Sequence, residues 1–130
     1  MLNFTALVTL LAVILYFWIG FRVGQARVKF GIKPPATTGN PDFERVFRIQ
    51  MNTLEWVPIF LPAIWLSAIY VSDIGAALLG MVWIVGRVLY MRGYTEAAKK
   101  RETGFFVQAI AAGLLWLAAL IGVLASMLHA

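Results

Sequence analysis

Arg48, Asn52 and Glu55 are spaced by four and three. On a helix turning about 100° per residue they share roughly 60° of arc, with Arg45 at their edge. Gln50 points almost the other way. Farther along, Arg87, Tyr90 and Tyr94 occupy a second narrow face, and Arg101 falls on the same line if that helix runs past Gly93. Arginine forks grip carboxylates in pairs of hydrogen bonds, Asn and Gln amides match peptide groups, and a Glu takes an ammonium. Together these groups suit a small, multiply charged, peptide-like anion. A plainer reading makes them interfacial anchors. Arg and Lys snorkel at helix ends, Tyr and Trp form belts there, and Glu55 pairs with Arg48. From the pattern alone, both stay open.

Other chemistry is excluded by composition. The chain has no cysteine, so it holds no disulfide, no thiolate metal site and no cysteine nucleophile. Its one histidine, His129, stands beside the C-terminus, and no metal site is expected. Any thiol chemistry would use a thiol that a ligand brings. Of the 130 residues 62% are hydrophobic and 13% charged, too little polar surface to cover a globule in water. The formal net charge of +5 is broken up by membrane-length apolar runs, so no nucleic-acid partner is expected. Membrane lipid or a small anionic ligand suits it better.

The elements that must carry these residues are four membrane spans in one domain, residues 1–130. About 20 apolar residues cross a bilayer. The candidate spans cover about 2–22, 54–72, 74–94 and 104–128, with loops at about 23–42 and 95–103. The expected class is all-α, an integral membrane four-helix bundle of up-down topology. All eleven Lys and Arg fall in two blocks, one after span one and one at the end of span three. If the spans alternate, the positive-inside rule turns both basic loops to the cytoplasm and both termini to the other side. Asn40 before Pro41 reads as an N-cap with proline at the first helical position, and Asp42 and Glu44 suit the first turn. Helix two therefore runs from Pro41 to about Val71, through Pro58 and Pro62. Gly20 and Gly24, Ala63 and Ser67, and Ala109 and Gly113 are small pairs that allow close helix approach.

Three stretches carry a resemblance to a known family. FERVFRIQMNTLEWVPIF (Phe43 to Phe60), RVLYMRGYTEAAKKR (Arg87 to Arg101) and KPPATTG (Lys33 to Gly39) resemble, in collinear order, the membrane-associated proteins in eicosanoid and glutathione metabolism (the MAPEG family). The likeness is strongest to the microsomal glutathione transferase and cysteinyl-leukotriene synthase branch. It implies a homotrimer of four-helix protomers that binds glutathione, as co-substrate, between neighbouring subunits. Carried over by position, Arg48, Asn52, Glu55, Tyr90, Tyr94 and Arg101 are contacts from one subunit, and Arg27 and Gln50 come from its neighbour. Arg101 matches the thiolate-stabilising arginine, and Arg87 is a secondary contact or a support.

The resemblance implies conjugation of glutathione to a lipophilic electrophile, with peroxidase activity on lipid hydroperoxides as a further reaction. Two positions depart from it. Trp56 stands where relatives often have tyrosine, and an indole N–H donates but cannot accept or ionise as a phenol does. Val28 stands where the leukotriene-synthase branch has a second arginine, which favours a broad-specificity transferase. The alternative is a non-catalytic lipid-binding or scaffold protein on the same fold. A small cation exporter would want an acid in span one, which has none.

Overall fold

The computed structural model describes residues 1–130, and all of its regular structure is helical. Four long helices, α1 (Asn3–Phe30), α2 (Pro41–Tyr70), α3 (Asp73–Glu96) and α4 (Glu102–Leu128), are joined by a loop, a tight turn and one short 3-10 turn at Ala98–Arg101. Each long helix is long and apolar enough to cross a membrane. At 1.5 Å per residue the 30 residues of α2 reach roughly 45 Å, more than a hydrocarbon core, so one end projects beyond it.

The helix ends follow from local chemistry. Asn40 Oδ1 accepts hydrogen bonds from the backbone N–H groups of Asp42 (2.8 Å) and Phe43 (3.1 Å), as its place before Pro41 predicts. Ser72 caps α3 in the same way, accepting from Gly75 N at 3.0 Å. α1 outruns its apolar stretch by two turns, because nothing before Gly31 breaks it. Gly31 ends it in the left-handed region (φ 67°), with Ile32 N donating back to Arg27 O at 3.0 Å. Arg22, Arg27 and Lys29 thus stand on helix. α2 runs unbroken through Pro58 and Pro62.

Asp73 makes a link that has no sequence signature. It begins α3, yet its carboxylate accepts from Phe4 N (3.1 Å) and Thr5 N (2.9 Å) at the start of α1. Those N–H groups have no partner within their own helix, and an acid suits the positive end of the α1 dipole. The capping acid therefore lies 68 residues away along the chain.

The core is built by α2, α3 and α4 with one face of α1. Phe60 and Trp83 stack at its centre with ring centroids 3.9 Å apart, among Val8, Ile64, Ala111 and Leu115. Ser67 Oγ donates to Leu115 O at 2.8 Å, joining α2 to α4. Of the small residues named above, Ala63 and Ser67 are buried, whereas Gly24 and Gly113 face open space in the single chain. The closest helix approach uses other glycines. A Cβ on Gly86 would stand 2.5 Å from Gln108 N, so α3 and α4 meet backbone to backbone. Large apolar side chains such as Phe17, Ile110 and Ile121 face outward, as lipid contact requires.

Candidate functional site

The site rests on α2, α3 and the turn that joins α3 to α4. A cleft of about 490 Å³ is lined by Arg48 and Asn52 of α2, Tyr90 and Tyr94 of α3, Arg101 of the turn, and Glu102, Phe105 and Phe106 of α4. Five of the eight residues are among those singled out by helical spacing.

Arg101 arrives by a route that spacing did not anticipate. α3 stops at Glu96, Ala97 is extended (φ −161°, ψ 147°), and the 3-10 turn folds back over Gly93. A Cβ on Gly93 would stand 2.1 Å from Lys100 O, so only glycine admits this return. Arg101 then lies with its guanidinium 5.4 Å from the centre of the Tyr94 ring and donates to Ala98 O. Lys100 pairs with Glu96 at 2.8 Å across the same turn.

Arg48 and Glu55 form a two-pronged ion pair, with Nη2 to Oε1 at 2.9 Å and Nη1 to Oε2 at 3.4 Å. They stand seven residues, or about two turns, apart, which puts them on one face. Both side chains stay about half exposed, so the pair can open toward an incoming ligand. Tyr90 and Tyr94 meet edge to face, centroids 5.4 Å apart, with Phe105 beside them.

Arg87 is fully buried beneath the cleft and does not line it. Its Nη1 donates to Asn52 Oδ1 at 2.8 Å and its Nη2 to Thr53 Oγ1 at 2.6 Å. The guanidinium lies 4.4 Å from the centre of the Tyr90 ring. With Oδ1 occupied, Asn52 turns its amide N–H groups away from Arg87, which makes it a donor.

Glu55 reaches Arg48 but does not itself line the cleft, and three other sequence-selected residues are placed elsewhere. Arg27 donates to Ala36 O (2.8 Å) and Ile32 O (3.4 Å) and covers the Phe43 ring at 5.0 Å. The Gln50 amide lies against Gly20 of α1. Trp56 packs edge to face on Phe105 at 5.7 Å, behind the cleft wall. Helical sorting missed Glu102, Phe105 and Phe106. They open an apolar run whose burial pattern depends on how α4 leans on α3, although their closeness to Arg101 in sequence was a usable signal.

The cleft thus joins guanidinium groups, an amide donor and two phenols to an aromatic wall. One end suits the carboxylates and amides of a charged peptide, and the other suits an apolar molecule. A separate apolar groove of about 430 Å³ runs between α2 and α4, lined by Pro58, Pro62, Leu66 and Trp116 among others.

Known proteins extend this picture. The chain is 51% identical over 119 residues to an uncharacterised protein of Synechocystis, covering 92% of this chain and 87% of that one. It is 45% identical over 119 residues to human microsomal glutathione S-transferase 2 (92% and 79% of the two chains). To bovine leukotriene C4 synthase it is 40% identical over 125 residues (96% and 83%). The MAPEG family model matches residues 5–121, nearly the whole four-helix unit. With four helices able to cross a membrane and that match spanning them, the chain is an integral, multi-pass membrane protein and belongs to the MAPEG family.

Proposed function

We propose that this protein is a membrane-bound glutathione transferase that joins the glutathione thiolate to lipophilic electrophiles. The observation that carries this reading is the gathering of Arg48, Asn52, Tyr90, Tyr94 and Arg101 around one cleft with an aromatic wall. The names of the human and bovine relatives support the same chemistry.

A cysteine-type thiol has a pKa of about 8.5 and attacks as the thiolate. The Arg101 guanidinium favours the anion when the sulfur lies near it. The thiol proton leaves to water at the open mouth. The thiolate sulfur then forms a bond to the electrophilic carbon, and the leaving group departs with the electron pair of the bond that breaks. Arg48, Asn52, Glu55, Tyr90 and Tyr94 hold the peptide. Glu55 exchanges its partner Arg48 for the ligand ammonium, which frees Arg48 for a carboxylate. Phe105 and Phe106 face the apolar substrate. A lipid hydroperoxide is a second acceptor: one thiolate attacks the terminal oxygen, and a second glutathione completes reduction to alcohol, water and disulfide.

Arg27 and Gln50 lie away from this cleft. In a homotrimer they would complete the cleft of a neighbouring subunit, and their separation within one chain supports that assembly. The basic segments would face the cytoplasm, where glutathione is made available to the cleft.

The test is conjugation of glutathione to an aryl halide by the detergent-purified protein, with Arg101→Ala alongside. Activity that collapses in the variant establishes the transferase. Neither activity nor glutathione binding in the wild type would leave a lipid-binding scaffold instead.

A further inference from the structure

α1 carries a polar site with no part in the cleft. Arg22, Gln25 and Lys29 of α1, with Asp42 and Val46 of α2 and Thr95 of α3, border a separate cavity of about 340 Å³. The two cavities share no residue. We infer that this second cavity binds the headgroup of an acidic phospholipid, with the acyl chains lying along α1.

Charge selects that ligand. The ion pairs of the chain are Arg45–Asp42, Arg48–Glu55 and Lys100–Glu96. Arg22 and Lys29 therefore have no carboxylate partner, and the one acid at the cavity, Asp42, is taken by Arg45. Lys29 instead lies over the Phe30 ring at 5.3 Å. The cavity offers two uncompensated cations and the Gln25 amide to a phosphodiester. It has no free carboxylate for a choline or ethanolamine group.

Shape selects a lipid over a free anion. At about 100° per residue, Leu7, Leu11, Ile14 and Trp18 fall within roughly 80° of arc together with Arg22, Gln25 and Lys29. Leu7, Leu11, Ile14 and Trp18 are all exposed. One face of α1 thus runs from an apolar track, through an indole one turn before Arg22, to a basic pocket. That sequence of surfaces matches acyl chain, interface and headgroup. Arg27 points to the opposite side of α1, so this face is separate from the one that holds Arg27 near Phe43.

The full chain is reconstituted in phosphatidylcholine bilayers containing either phosphatidylglycerol or phosphatidylcholine with brominated chains, and tryptophan quenching is read. Trp18→Phe isolates the contribution of Trp18 from the other four indoles. The expected result is saturable quenching of Trp18 by the brominated phosphatidylglycerol, half-complete at a mole fraction roughly tenfold below that needed for the brominated phosphatidylcholine. The double variant Arg22→Gln, Lys29→Gln should lose that preference while keeping the wild-type helical signal and thermal midpoint. Equal quenching by both lipids would overturn the site, as would a preference that survives the double variant. Displacement of the lipid by inorganic phosphate would make it a small-anion site instead.

Discussion

Gly104 of α4 lies so close to Tyr90 of α3 that a Cβ on the glycine would stand 2.1 Å from the Tyr90 backbone nitrogen. The same added carbon would stand 2.7 Å from Gly86 O. Backbone cannot yield as a flexible side chain does, so α4 can lie this close to α3 only because residue 104 has no side chain. This contact sets the distance between Tyr90 and the aromatic wall formed by Phe105 and Phe106.

Gly104→Ala should therefore push α4 away from α3 at the cleft. Overpacking of this kind costs about 1–3 kcal/mol. The expected outcome is a lower thermal midpoint and weaker glutathione binding, measured by calorimetry on the purified protein. Gly113→Ala is the control, since Gly113 faces open space and helix propensity favours alanine. An equal effect at both positions would show that the close approach does not govern the cleft.

Arg101→Ala should lower turnover roughly 100-fold while changing glutathione affinity much less, in line with the loss of one group that stabilises a reacting anion. The sign of its pH dependence follows from charge. A guanidinium beside the sulfur favours the thiolate and lowers the pKa of the bound thiol, so its removal raises that pKa. The ultraviolet thiolate band of the bound glutathione should then appear at higher pH in the variant. Equal losses in turnover and affinity would make Arg101 a binding residue only.

Arg87→Met would leave Asn52 Oδ1 and Thr53 Oγ1 without their donor. An unsatisfied buried acceptor costs about 1–3 kcal/mol, so stability should fall. The Asn52 amide would also be free to rotate, and glutathione affinity should fall with it. Asn52→Asp separates the two effects: the carboxylate still meets Arg87 but offers no N–H to a ligand. Its expected signature is a preserved thermal midpoint with a raised KM for glutathione.

Asp73→Ala should fray the start of α1, because the N–H groups of Phe4 and Thr5 lose their acceptor. Hydrogen exchange at those two amides should accelerate, with little change at the cleft. Asp73→Asn keeps one acceptor oxygen and should lie between the wild type and the alanine variant. Unchanged protection at both amides in Asp73→Ala would remove the capping role.

Much of the cleft was legible because it depends on local periodicity. Arg48, Asn52 and Glu55 share a face of any helix that contains them, and so do Tyr90 and Tyr94. The Asn40–Pro41 cap and the acidic first turn of α2 are equally local, decided within a few bonds of the backbone they satisfy. Four apolar runs are an additive property of composition, read without knowing what packs on what.

Tertiary structure alone decided the rest. Arg101 stood on the right line for a helix that does not exist: α3 breaks at Ala97, and the turn returns over Gly93 to put the guanidinium by Tyr94. The glycines that matter for packing, Gly86 and Gly104, belong to no small-xxx-small pair, because their partners lie on another helix. Asp73 caps a helix that starts 70 residues before it, and Arg87 reaches from α3 to an amide on α2. Periodicity says which side chains share a face. It does not say which face meets which, because that is settled by packing summed over the whole bundle.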